Sequence, residues 1–176
     1  EEVRLTKRAY GWPEDEQFLV PEPALAHMRK AVRRGARLEA EWNKKYQAYK
    51  SAYPDLAEQF EAALRGDLPD GWDANFPEFK SSDGPVATRA AGGKIMNAFA
   101  AKVPWLVGGS GDLSPSTRTI LSGTGYFGKG AYANRNIAWG VREHAMCGCS
   151  SGMALHGGVR PYAATFFVFC DYARPS

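Results

Sequence analysis

Short apolar runs alternate with helical segments after residue 87, and this alternation limits the folds open to the chain. Three apolar runs predict buried strands: WLV beginning at Trp105, NIAWGV at residues 136–141 and RPYAATF at residues 160–166. The intervening sequence predicts helices at Thr88–Lys102, at residues 142–157 and at residues 167–173. Strands that alternate with helices are typical of a parallel sheet with helical crossovers. We therefore expect an α/β fold, with an incomplete parallel sheet because the sequence stops soon after the third strand.

The earlier part of the chain is charged and helical in period. Between residues 24 and 51, apolar and aromatic residues recur at spacings of three, four or six, which predicts a long helix. Pro54 should break that helix, and Asp55 can cap a second one that ends at Gly66. Residues 67–86 are rich in Pro, Gly, Asp and Ser, which indicates a linker or a long crossing loop. The expected organisation is a helical extension at 1–66, a linker at 67–86 and an α/β domain, or its first part, at 87–176.

Composition narrows the classes of function. Hydrophobic residues make up 44% of the chain, but no apolar run is long enough to predict a membrane-spanning helix. The charged start EEVRLTKRAY is unlike a signal or transit peptide, and a cytoplasmic protein is expected. The net charge is only +3, and the basic cluster on the first long helix is more typical of a solvated face than of a nucleic-acid site. Three cysteines without a CxxC pair argue against a disulfide framework or structural zinc, and no metal site is predicted.

Two polar motifs follow predicted strands, where open parallel sheets bind their ligands. In GGSGDLSPS, glycines allow close approach of a ligand, and the hydroxyls of Ser110, Ser114 and Ser116 could bind phosphate. A plain turn explains this motif about equally well. In GVREHAM, where a strand becomes a helix, the Glu143 carboxyl could share a proton with a basic nitrogen of a ligand. Helix capping together with surface charge is the alternative explanation.

A third motif, TFFVFCDYARP, places three aromatic residues at spacings of three: Phe166, Phe169 and Tyr172. On a helix these rings would share one face and form a wall suited to stacking on a planar heterocycle. Packing into a core explains the same spacing.

Taken in order, these segments resemble the central region of transketolases. The resemblance rests on GGSGDLSPST, RNIAWGVREHAM, GMALHGG and RPYAATFFVFCDYARP, and it is strongest over residues 84–176. It implies the fold of a thiamine diphosphate-binding pyrimidine domain, preceded by the end of a diphosphate-binding domain. The implied activity is transfer of a two-carbon ketol unit between sugar phosphates. Thiamine diphosphate is the implied cofactor, with magnesium or calcium held by a domain absent from this chain.

The resemblance also implies roles for individual residues. Glu143 would be the catalytic residue, because it matches the glutamate that hydrogen-bonds the pyrimidine ring nitrogen and so activates the cofactor. Five further residues would line the cofactor: Asp112, Leu113, Phe166, Phe169 and Tyr172. Arg89 and Ser116 would contact the phosphate of the sugar substrate. The chain departs from the usual family pattern at Gly111, where Ala is common, and at Thr117, where Asn is common.

The family's magnesium- and diphosphate-binding motif is missing from this sequence, as are its substrate-binding histidines and its carboxy-terminal domain. We therefore expect a homodimer or a complementary transketolase subunit as partner, and activity only with complementary domains. Two alternatives remain at this stage. One is a non-catalytic assembly or regulatory module of a thiamine diphosphate enzyme, and the other is an unrelated phosphate- or nucleotide-binding protein that uses GGSGDLSPS.

Overall fold

The computed structural model describes all residues from 1 to 176 and divides the chain into two compact units, Glu1–Pro54 and Asp55–Ser176. The first unit contains helices α1 (Glu2–Ala9) and α2 (Glu22–Ala52). Neither helix buries a residue within the chain, although apolar side chains such as Met28 and Val32 are present along α2. The predicted long helix is thus confirmed, with its end set just before Pro54, a residue that cannot donate a backbone hydrogen bond to the helix.

Six further helices and strands follow, and the first of them, α3, begins at the last residue of the first unit, Pro54. They are α3 (Pro54–Arg65), α4 (Thr88–Lys102), β1 (Leu106–Ser110), α5 (Ser114–Thr117), α6 (Glu143–His156) and β2 (Arg160–Ala164). A single turn of 3₁₀-helix at Phe167–Phe169 then leads into α7 (Cys170–Ala173). Another short 3₁₀ turn lies at Ser81–Asp83. The predicted helices and two of the three predicted strands are confirmed, and no helix is long and apolar enough to cross a membrane.

The core of the second unit lies beneath the end of α4. Its buried members are Ala100, Val103, Leu106 and Leu121. Leu68 and Trp72, from the segment predicted as a linker or crossing loop, pack against this cluster. The Trp72 ring meets Phe99 edge-to-face, with centroids 5.5 Å apart. This segment therefore contributes side chains to the same core as α4 and β1.

The sheet has two parallel strands, β1 and β2, in a register that pairs Leu106 with Arg160 and Ser110 with Ala164. Parallel pairing requires a crossover connection, and α5 and α6 both lie in that connection. The prediction of an α/β fold with an incomplete parallel sheet is confirmed.

The predicted strand at residues 136–141 is wrong in its extent. Only Asn136 forms bridges, one with Gly108 of β1 and one with Tyr126. The run cannot stay extended along β1 to its predicted end, because the backbone turns at Gly140, which has φ +68°. An apolar run at this position therefore forms an extended edge against β1 instead of a full strand.

Candidate functional site

The carboxyl ends of β1 and β2 meet the start of α6 at one edge of the sheet. Beyond the last strand pair, the Gly111 N–H donates a hydrogen bond of 3.2 Å to the Ala164 carbonyl, which extends the contact between the two strands one residue past the end of β1. Glu143, the first residue of α6, lies against this edge. The two motifs that follow predicted strands are thus brought together, as expected for parallel strands whose carboxyl ends share an edge.

Glycines allow this close assembly. A β-carbon on Gly108 would overlap the backbone and ring of Tyr162 in β2, and one on Gly109 would overlap the Ile137 carbonyl. Strand β1 is therefore enclosed on both sides by backbone, and only residues without a side chain fit there. Strand packing therefore explains the two glycines that begin the GGSGDLSPS motif, Gly108 and Gly109. Both precede the candidate site in the chain.

The Glu143 carboxyl is buried, and the chain offers it few hydrogen bonds to offset the cost of that burial. Its relative exposure is 5%. The Thr165 hydroxyl donates a hydrogen bond of 3.2 Å to its Oε1 atom, and no other group of the chain donates to this carboxyl. The neighbouring Arg142 does not pair with it, because the Arg142 guanidinium donates to the Trp139 carbonyl at 2.9 Å. A buried carboxyl with one hydrogen bond and no counter-ion is uncommon in a purely structural role.

The two oxygens of this carboxyl have different surroundings. A β-carbon added to Gly111 would lie 3.3 Å from Oε1, so Oε1 is enclosed between the Gly111 backbone and Thr165. Oε2 accepts no hydrogen bond from the chain. The wholly buried side-chain polar atoms that lack a partner are Trp139 Nε1 and Ser150 Oγ, so Oε2 retains contact with solvent. A ligand can therefore reach Oε2.

The aromatic motif forms a row of rings, as the spacing predicts. The Phe166 and Phe169 centroids are 6.4 Å apart with planes 22° from parallel, and Phe169 and Tyr172 are 6.4 Å apart with planes at 34°. The row runs through a 3₁₀ turn into α7, and three residues per turn in a 3₁₀ segment align side chains three apart. Phe166 and Tyr172 are exposed at 36% and 65%, so the row is open to a ligand and is not buried in the core of this chain.

Thr165 joins the aromatic row to the carboxyl. It lies directly between the end of β2 and Phe166, and its hydroxyl donates to Glu143. At the other end of the segment, the Ser176 hydroxyl donates to the His144 carbonyl at 2.9 Å. Both ends of the aromatic segment are thereby attached to the first turn of α6.

The serine-rich turn is only partly available to a ligand. Ser110 and Ser114 are buried, their hydroxyls lie 2.7 Å apart, and the Leu113 N–H donates to Ser110 Oγ at 2.9 Å. These two hydroxyls bond to each other and to the turn backbone, an arrangement that favours the plain-turn interpretation of this motif over phosphate binding. Ser116 is exposed, and so is Asp112, which has φ +60° at the tip of the turn.

A cavity of about 490 Å³ lies between α4 and the turn. Its walls come from α4, from the turn and from the segment after the turn: Ala90, Gly93, Lys94, Asn97, Ser114, Pro115, Arg118, Ile120 and Ser122. Arg89 and Ser116 are each adjacent in sequence to a residue of this wall but do not themselves line the cavity. Both side chains are exposed. No three His, Cys, Asp or Glu side chains of the chain form a group that could hold a metal ion.

Two polar residues that sequence reasoning did not select, the buried Asn136 and the partly buried Tyr162, hydrogen-bond to the loop at residues 119–124. Asn136, 2% exposed, accepts from the Leu121 N–H at 2.8 Å and donates to the carbonyls of Leu121 and Thr124 at 3.0 and 3.1 Å. The Tyr162 hydroxyl donates to the Thr119 carbonyl at 2.8 Å, and burial raises the pKa of Tyr162 to about 12. Their only sequence signal is the presence of polar side chains within apolar runs.

Two family models match the chain. The model described as "Transketolase, pyrimidine binding domain" matches residues 84–176, and the model described as "Transketolase, thiamine diphosphate binding domain" matches residues 1–69. The first match covers the sheet, Glu143 and the aromatic row.

Similar proteins carry the same family name. The transketolase of Halalkalibacterium halodurans is 48% identical over 176 residues, a match that covers 100% of this chain and 26% of that protein. A crystal structure of a Pichia stipitis transketolase in complex with sedoheptulose 7-phosphate is 34% identical with a TM-score of 0.89, covering 98% of this chain and 26% of that one. A mutant of the same enzyme in complex with fructose 6-phosphate gives the same values. The chain thus spans about a quarter of the length of these relatives.

Proposed function

The chain belongs to the transketolase family, and we propose that it provides the pyrimidine-binding part of a thiamine diphosphate site in an enzyme that transfers two-carbon ketol units between sugar phosphates. The observation that carries this proposal is the Glu143 carboxyl. It is buried at the carboxyl ends of β1 and β2, beside the start of an exposed aromatic row, and one of its oxygens is free of hydrogen bonds from the chain.

These residues suit an aminopyrimidine. The Phe166 and Tyr172 rings are exposed, so a planar heterocycle can stack on them. The basic ring nitrogen of such a heterocycle needs a partner that can hold a proton. Glu143 Oε2 fits that requirement, because it is reachable and otherwise unpaired. The diphosphate end of the cofactor requires cations, and no cluster of metal-ligating side chains lies in this chain.

When bound, thiamine diphosphate supplies the reactive carbon that adds to the ketose carbonyl and stabilises the carbanion of the transferred unit. Within this chain, Glu143 holds a proton at Oε2 against the pyrimidine ring nitrogen. The aromatic row keeps the pyrimidine in place and excludes water from that hydrogen bond. Asp112 and Leu113, at the tip of the turn after β1, would line the bound cofactor.

The remaining parts of the proposal concern partners. Arg89 and Ser116 contact the phosphate of the sugar, a task for which a guanidinium and a hydroxyl are chemically suited. The ligands in the Pichia stipitis crystal structures, sedoheptulose 7-phosphate and fructose 6-phosphate, support sugar phosphates as substrates. Magnesium or calcium and the diphosphate are held by a complementary domain, in a homodimer or a two-subunit enzyme located in the cytoplasm. The isolated chain is inactive.

The proposal is tested in a chimera in which residues 1–176 replace the matched segment of the Halalkalibacterium halodurans transketolase. We expect this chimera to bind thiamine diphosphate and to catalyse ketol transfer between sugar phosphates. Glu143→Gln keeps the shape of the side chain but cannot hold an exchangeable proton on an oxygen. It should lower kcat by about 100-fold or more, the usual contribution of a general acid or base.

The matched control is Glu58→Gln, the same exchange at an exposed position of α3. It should leave kcat unchanged, which separates the role of Glu143 from a general effect of losing a negative charge. A Glu143→Gln chimera that retains the activity of the parent contradicts the proposed function. A parent chimera that assembles but neither binds cofactor nor turns over sugars favours the non-catalytic module instead.

A further inference from the structure

We propose that Thr165 is a positioning residue that makes the two oxygens of Glu143 unequal, with Oε1 fixed by the protein and Oε2 reserved for the ligand. This inference rests on the proposed function of Glu143 and identifies a residue through which that function is set. Thr165 itself does not contact the reacting atoms.

The position of Thr165 is fixed by the sheet. The register pairs Ser110 with Ala164, and the Gly111 N–H then donates to the Ala164 carbonyl. Ala164, the residue immediately before Thr165, is thus held against β1 by strand pairing and by this hydrogen bond. The Thr165 hydroxyl, partly buried at this point, lies 3.2 Å from Glu143 Oε1 and is the single hydrogen-bond donor to that carboxyl.

A terminal carboxyl is free to rotate, because its last torsion has a broad, twofold preference. Without a donor, the two oxygens of Glu143 would exchange places in the site. The hydrogen bond from Thr165 prevents this, and the Gly111 backbone closes the remaining space around Oε1, where even a methyl group would come to 3.3 Å. The orientation of the carboxyl plane is therefore set before any ligand arrives.

The same hydrogen bond determines which oxygen carries a proton. Because Oε1 already accepts the Thr165 O–H, a proton shared by the carboxyl resides on Oε2, the oxygen that the chain leaves unpaired. This places the proton on the side open to the pyrimidine nitrogen. A carboxyl free to rotate would place it there only part of the time, and the catalytic rate would fall accordingly.

The test compares Thr165→Val, which removes the hydroxyl and keeps the shape, with Thr165→Ser, which keeps the hydroxyl. Both are made in the chimera described above. The first measurement is the rate of deuterium exchange at the reactive carbon of bound thiamine diphosphate, followed by NMR without any sugar present. Loss of the hydrogen bond that fixes this carboxyl predicts a rate about 3- to 10-fold lower for Thr165→Val. Thr165→Ser should remain within about twofold of the parent.

The second measurement needs no cofactor. In the 176-residue chain labelled with ¹³C at glutamate side-chain carboxyls, the Glu143 signal is assigned by its loss in Glu143→Gln. Thr165→Val should shift this signal, and Thr165→Ser should leave it in place. The thiamine diphosphate dissociation constant of the chimera should change little in either variant, so the effect should fall on the exchange rate and kcat.

The double variant provides the decisive comparison, because residues that act through each other are non-additive. When Glu143→Gln is already present, Thr165→Val should cause no further loss of exchange rate. Exchange at the parent rate in Thr165→Val, with Glu143→Gln still slow, overturns this inference and leaves the proposed function intact. Equal losses in the valine and serine variants, accompanied by equal drops in Tm, identify Thr165 as a packing residue and also overturn the inference.

If the Thr165→Val chimera does not fold, the carboxyl signal of Thr165→Ser in the isolated chain still decides the matter. A serine variant whose Glu143 signal moves as far as that of a valine or alanine variant contradicts the role of the hydroxyl. Failure of Glu143→Gln to slow exchange at all removes the proposed function, and this inference with it.

Discussion

Replacing Asn136 by alanine removes the side chain that attaches the loop at residues 121–124 to the segment before Glu143. Leu121 is fully buried, so its N–H and C=O both lose their hydrogen-bond partner without access to water. Each buried group left unpaired costs about 1–3 kcal/mol. The Thr124 carbonyl is partly exposed and can be rehydrated, so it adds less. The expected loss is therefore about 2–6 kcal/mol, a large fraction of the roughly 5–15 kcal/mol that stabilises a typical domain.

The assay is urea unfolding of the chain, followed by near-ultraviolet circular dichroism, to which Trp72 and Trp105 contribute because they pack against the core. With a denaturant slope of about 1–3 kcal/mol per M, a loss near the middle of this range lowers the midpoint by at least about 1 M. Hydrogen exchange of the Leu121 amide provides a local measurement, and its protection should fall in parallel.

Asn75→Ala is the matched control, because Asn75 is exposed and makes no hydrogen bond through its side chain. Exposed positions of this kind change stability by less than about 0.5 kcal/mol. The reasoning fails if the two alanine variants have the same midpoint. It also fails if the Leu121 amide remains as protected in Asn136→Ala as in the parent.

Two further predictions concern β1 and its neighbour β2. Gly109→Ala should destabilise the chain by at least about 2 kcal/mol in the same urea assay, because its methyl group would overlap the Ile137 carbonyl. Gly92→Ala, in open space on α4, should instead stabilise the chain by about 0.5–1 kcal/mol. Equal effects of the two changes would contradict the close packing of β1. The contribution of Tyr162 to stability should be fully present below pH 10 and lost as pH rises towards about 12, because burial raises its pKa above the ordinary value of 10.0. Tyr162→Phe should remove this part of the alkaline decline in Tm, and an unchanged decline would exclude Tyr162 as its source.

Local signals in the sequence predict most of the helices and two strands. Pro54 and Gly66 bound α3, and the glycine after residue 156 ends α6, because proline and glycine act on the backbone of their own position. The spacing of three between aromatic residues also predicts their row, since the 3₁₀ turn repeats every three residues. These features need no knowledge of distant contacts.

Other features depend on contacts that a linear pattern does not contain. The run at residues 136–141 has the composition of a strand, yet only Asn136 forms bridges and the backbone turns at Gly140. Ser110 and Ser114 look available for phosphate until the turn brings their hydroxyls together. The contact between Thr165 and Glu143 is visible only in the fold, because β2 ends just before Thr165 and places it beside that carboxyl. The roles assigned to the site residues remain predictions, which the variants above address.

The packing of Leu68 and Trp72 has a practical consequence for anyone who wishes to study the second unit alone. The pyrimidine-domain family match begins at residue 84, so a fragment cut to that boundary lacks both side chains. Phe99 would then lose its edge-to-face partner, and apolar surface beside Val103 would face water. The compact unit begins at Asp55, whereas the family match begins at residue 84. A fragment that begins at Asp55, where the compact unit starts, retains Leu68 and Trp72 and therefore keeps its core covered.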